Sequence, residues 1–149
     1  MIIIVFTIIY FAVDFDALDV DITNNVIPYF AKVHETMEKD IYRTGVYGVR
    51  NVCTRVSNKG YACSSFVSNL SYGYSGNLGF PMPDNWAFDQ FATVNVKEGS
   101  ISISIDKDGF SGKDKGVEKL DPAISANVKI TAGNSDSDIV TGPTVDVLG

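Results

Sequence analysis

Residues 8–17 read IIYFAVDFDA, and this stretch decides the kind of fold to expect. Its first part is an unbroken run of Ile, Tyr, Phe, Ala and Val, the pattern of a strand buried on both faces, as in a parallel sheet. The apolar run starts at Met1 as MIIIVFTIIYFAV and stops at Asp14. It is too short to cross a bilayer, which takes about 20 residues. It also lacks the basic n-region and small-residue cleavage site of a signal peptide. A strand is therefore expected within residues 2–16, ending in the carboxylates Asp14 and Asp16.

Working outward, ALDVDITNN reads as an acidic turn, and a helix is expected from about Asn25 to Lys39. Its apolar positions Val26, Phe30, Val33, Met37 and Ile41 recur at helical spacing, and Pro28 would fall in its first turn, where a missing N–H costs little. RTGVYGVR reads as a strand, NVCTRVSNKG as a short helix closed by Gly60, and YACSSFVS as another strand. Residues 69–85 carry Gly73, Gly76, Gly79, Pro81 and Pro83 and form a long loop. WAFDQFATV and ISISI, the latter alternating with period two, are the last strand candidates. The segment between them is too short for a crossover helix and leaves a loop or an antiparallel pair. Strand alternating with helix is the cadence of α/β architecture. Past Asp121 the composition turns small, polar and β-branched, so residues 1–121 read as the domain and 122–149 as a linker or peripheral β tail.

The chain has 149 residues, the size of one domain, with 45% hydrophobic and 11% aromatic content. Its 12 basic residues against 18 acidic give a formal charge of −6 with no basic block, which excludes nucleic-acid binding through phosphate neutralisation. Cys53, Cys63 and the lone His34 do not complete a four-ligand zinc site. The two cysteines read as buried thiols, or as a disulfide if the protein is secreted. His34 reads as a packing or surface residue. No cofactor and no metal are expected.

The chemistry concentrates at Asp14 and Asp16. On a strand, a spacing of two puts both carboxylates on one face with Cα atoms about 6.5–7 Å apart. Ligands of barrels and open α/β sheets lie at the carboxyl ends of the strands, where this pair falls. The plainer reading is a solvated acidic turn preceding the next helix, since Asp14, Asp16, Asp19 and Asp21 lie close together. A divalent-metal site from the same aspartates is a third reading.

Taken together, IIYFAVDFDA, IPYF, TGVYGVRNVC, SFVSNLSYGYSGNLGFPMPDNWAFDQF and ISISIDKD resemble a bacterial glycoside-hydrolase-like (β/α)-barrel domain family of unknown function. That family is distantly similar to the family 25 lysozymes, and the resemblance covers residues 8 to about 116. It implies a TIM-barrel-like α/β fold that is incomplete here, supplying strands four to eight. It also implies that Asp14 takes the place of the Asp in the lysozymes' Asp-x-Glu motif, and Asp16 that of the Glu acting as general acid. Tyr47 matches the tyrosine of the fifth strand, Trp86 and Gln90 the seventh strand, and Asp106 the aspartate of the eighth. Asp16 departs from the pattern by being one methylene shorter than Glu.

The implied function is hydrolysis of bacterial cell-wall glycan, peptidoglycan, by an Asp-x-Asp carboxylate pair. Tyr47, Tyr72, Tyr74 and Trp86 would offer flat faces to sugar rings, from a protein that is extracellular or bound to the cell wall. The alternative is a catalytically silent barrel remnant that binds wall carbohydrate or serves assembly. An incomplete barrel also exposes sheet edges through which copies of the chain self-associate.

Overall fold

The computed structural model describes residues 7–37 and 42–117. Residues 122–149 and the front of the first expected strand, Ile2 to Val5, lie outside them. The described chain forms an α/β unit around a mixed five-stranded sheet in the order β1-β2-β3-β4-β5. The strands are β1 Ile8–Ala12, β2 Arg43–Gly48, β3 Ser64–Val67, β4 Trp86–Glu98 and β5 Ile101–Phe110. The first four are parallel, and β5 returns antiparallel to β4. The carboxyl ends of β1, β2 and β3 therefore open on one edge of the sheet, over which the far half of β4 and the returning β5 extend.

The first connection is helical earlier than the sequence suggests. It begins with α1, Asp19–Asp21, widens into a π-helical turn at Ile22–Val26, and continues as α2, Ile27–Met37. The acidic segment read as a turn is thus the helix start. Asp21 accepts the Leu18 N–H at 3.1 Å, and two aspartates suit the positive end of a helix dipole. Pro28 lies inside this helical stretch, directly after the wide turn in which the Ile27 N–H reaches back to the Ile22 carbonyl. The second helix, α3, runs Arg50–Asn58.

Period-two alternation sorts the strands into two faces. Val13, Val46 and Val67 point to the helices and pack with Ile22, Val26 and Phe30 of the first helical stretch and with Val49, Val52, Cys53 and Val56 on or beside α3. Burial pushes the Cys53 thiol up to about 12, which leaves it an inert packing group. Cys63 is exposed, and both cysteines are free, so the expectation of two buried thiols holds for Cys53 alone. His34 packs its ring near that of Tyr61.

The opposite face carries a row of rings. Tyr47 meets Phe66 at 5.2 Å, Phe66 meets Phe88 at 5.3 Å, and Phe88 meets Phe110 at 5.7 Å between centroids. Tyr10 crosses β2 to reach Phe66 and Phe88 and to bond the Ser64 hydroxyl at 2.8 Å. Gly45 makes that crossing possible, because a Cβ there would stand 2.6 Å from Tyr10 Cδ1. Beyond the sheet, β4 and β5 continue as a hairpin closed by Gly99 and Ser100. Its face bearing Val96, Ile101, Ile103 and Ile105 is exposed. No helix among the described residues is long and apolar enough to cross a membrane.

Phe30 is fully buried while its neighbour Tyr29 is 48% exposed. Phe30→Ala is expected to cost about 3–5 kcal/mol of unfolding free energy in urea titrations, and Tyr29→Ala less than about 1 kcal/mol. Equal losses would show that the helical stretch does not pack as described.

Candidate functional site at the strand carboxyl ends

Each strand delivers a polar side chain to the same edge. Beyond β1 comes Asp14; β2 carries Tyr47; β3 leads into Ser68 and Asn69; β4 brings Asp89 and Gln90; and β5 returns with Asp106 and Asp108. The ladder pairs Gln90 with Asp108 and Thr93 with Asp106, so these four share the face of the aromatic row. The Tyr47 hydroxyl donates to Gln90 Oε1 at 2.8 Å. Gln90 Nε2 in turn donates to Asp106 Oδ2 at 2.9 Å, and the Thr93 hydroxyl donates to Asp106 Oδ1 at 2.6 Å. Beside this chain, Asn69 donates to Asp89 Oδ1 at 2.6 Å and accepts from Arg50 Nε at 2.7 Å.

The electrostatics tie the same residues together. Burial raises the Tyr47 phenol above its ordinary value, and the charges of Asp14, Asp106 and Asp108 push it the same way against a hydrogen bond from Ser68. Burial also raises the Asp108 carboxyl, with the charges of Asp106 and Asp89 adding to it. Among the described residues, no group of three His, Cys, Asp or Glu side chains converges as a metal site.

Of the residues singled out from the sequence, Tyr47, Gln90 and Asp106 are joined here by hydrogen bonds, and the charge of Asp14 bears on the same phenol. Asp16 stands at the same end but on different business. Strand β1 ends at Ala12, and the chain bends at Phe15, so no pleat aligns Asp14 with Asp16. Asp16 Oδ1 instead accepts from the Ser75 N–H at 2.9 Å and the Ser75 hydroxyl at 2.8 Å, holding the 69–85 loop at this end. Within that loop Tyr72 is 81% exposed, while Tyr74 packs against the core. Asn77 is buried and spends its amide on the Ser68 and Ser71 carbonyls and the Arg50 N–H. Trp86 packs on the core from the amino end of β4, away from Gln90.

Asp108, Asp89 and Asn69 are members that the sequence reading missed. For Asp108 the signal was available: it follows Asp106 by two in a period-two strand and so shares its face. Asp89 and Asn69 depend on the register between β3 and β4, which slips at a bulge between Ser65 and Phe66. At the opposite end of the strands a cavity of about 420 Å³ lies between α3 and residues 81–85, lined by Thr54, Ser57, Asn58, Cys63 and Asn85 among others.

A model of the Rv2525c-like, glycoside hydrolase-like domain matches residues 6–110. Two curated Bacillus subtilis (strain 168) proteins are similar to this chain. The uncharacterized protein YbfG is 51% identical over 123 residues, covering 78% of this chain and 17% of its own length. The uncharacterized protein FadG is 52% identical over 126 residues, covering 83% of this chain and 22% of its own length. The chain thus spans about a fifth of these relatives. No solved structure matches.

The raised Asp108 carboxyl gives a stability test. A carboxyl that binds its proton more tightly in the native state makes the fold lose stability as pH rises past the unfolded value of about 3.9. Asp108→Asn removes that loss. It is expected to raise the melting temperature at pH 7 and to leave it unchanged at pH 3, where the unfolded carboxyl is protonated too. A gain of equal size at both pH values would contradict the assignment.

Proposed function

This chain belongs to the Rv2525c-like, glycoside hydrolase-like domain family, and from that premise we propose that its carboxyl-end site engages bacterial cell-wall glycan and cleaves it. The observation that carries the reading is the linked set Tyr47, Gln90 and Asp106 with the charges of Asp14 and Asp108 bearing on the same phenol. In this proposal the five strands are half of a (β/α) barrel, whose ligand sites lie at the carboxyl ends. The protein works outside the cell or on its wall.

Glycosidic cleavage needs one carboxyl to protonate the leaving oxygen and a second to act as base, nucleophile or stabiliser. Asp14 takes the ionised role. Two carboxyls compete for the proton-donor role. Asp16 has it by its match to the lysozyme motif, and Asp108 by an environment that keeps its proton to higher pH. The aromatic row beside them offers apolar ring faces to sugar C–H groups.

A second reading is carbohydrate binding without hydrolysis. It is favoured by the two hydrogen bonds that commit Asp16 Oδ1 to Ser75. Turbidity loss and muropeptide release from purified walls separate the two. Hydrolysis by the wild type, lost about 10²–10⁴-fold in Asp14→Asn and in one of Asp16→Asn or Asp108→Asn, supports the enzyme. Wall binding without release supports the binding module. Neither binding nor release overturns both.

A further inference from the structure

The hydrogen bonds around Tyr47 have only one possible direction. The Asp106 carboxylate has no proton to give, so the Gln90 nitrogen must face it and the Gln90 oxygen must face Tyr47. That oxygen cannot donate, so the single phenol proton is committed to it. The chain therefore runs from Tyr47 through Gln90 to Asp106, each link pointing towards the carboxylate.

We propose that Gln90 is a positioning and specificity-determining residue: it transmits the polarity of Asp106 to Tyr47 so that the phenol oxygen meets a ligand only as a hydrogen-bond acceptor. This rests on the reading of the site as a glycan site and names the class of sugar it takes. The carboxylates of Asp14 and Asp106, whose charges bear on the same phenol, are acceptors too. The ligand edge must therefore donate. Sugar hydroxyls and the ammonium of an amino sugar without its acetyl group do so, whereas a carboxylated sugar brings charge against charge.

The test measures binding of three tetrasaccharides by calorimetry: chitotetraose, which is neutral; its fully deacetylated, cationic form; and a hyaluronan tetrasaccharide, which carries carboxylates. The wild type is expected to bind the first two at least about tenfold more tightly than the third. Gln90→Met and Tyr47→Phe are each expected to weaken chitotetraose about tenfold, and the double variant to bind no worse than either single one, because both act on one ligand contact, the oriented phenol oxygen. Losses that add, or a preference for hyaluronan, overturn the proposal while leaving a glycan site standing. Absence of binding to all three by the wild type sinks the glycan reading instead. The relay is then decided by an NMR pH titration of the Tyr47 ring, which needs no ligand. The phenol is expected to titrate at lower pH in Gln90→Met than in the wild type, since its acceptor is gone. An unmoved titration means that the phenol proton was never committed to Gln90.

Discussion

What stands at the carboxyl-end edge of this sheet is decided by the register of the β4–β5 ladder. Side chains alternate across a strand, so a slip of one residue would send Asp106 and Asp108 to the opposite face. Two features hold the register. The hairpin closes in two residues, Gly99 and Ser100, with Gly99 at φ +59°, a conformation that tight hairpin turns demand and glycine adopts without strain. Phe91 is then the extra residue in a bulge between Gln90 and Ala92. The bulge resets the alternation along β4, so that Gln90 before it and Thr93 after it both face the aspartates of β5.

The rest of the site follows from parallel pairing. Because β1, β2, β3 and β4 run the same way, the ends of three of them and the body of the fourth meet at one edge, and residues far apart in sequence become neighbours. The helices cover one face, and their apolar packing with Val46 and Val67 supplies the stability that the polar edge does not. The other face holds rings rather than aliphatic side chains, and those rings lead up to Tyr47. Core, aromatic row and carboxylates are thus three levels of one sheet, each assigned by strand parity.

Strand parity also explains which parts were legible in the sequence. ISISI announced a strand, and the short segment before it allowed an antiparallel pair, which is what forms. The IIYFAV run announced β1. The helix start was missed because aspartates suit both a solvated turn and a helix N-terminus, and composition alone does not choose between them. At the carboxyl-end edge, Asp14, Tyr47, Gln90 and Asp106 were singled out from strand ends and from resemblance. The pairing of Asp14 with Asp16 assumed a strand that continues to residue 16, whereas β1 stops at Ala12 and Asp16 turns to Ser75. Asp89 and Asn69 are placed by a bulge, and no local pattern encodes the partner strand across which a bulge forms.

The proposed placing of ligand at the carboxyl ends of the strands is open to a direct check: titrating chitotetraose into the isotopically labelled protein, with backbone amide shifts followed by NMR. Shifts are expected to cluster at Asp14, Tyr47, Ser68, Gln90, Asp106 and Asp108. Shifts confined to Ser57, Cys63 and Asn85 around the cavity at the amino ends, or no shifts at all, would contradict it.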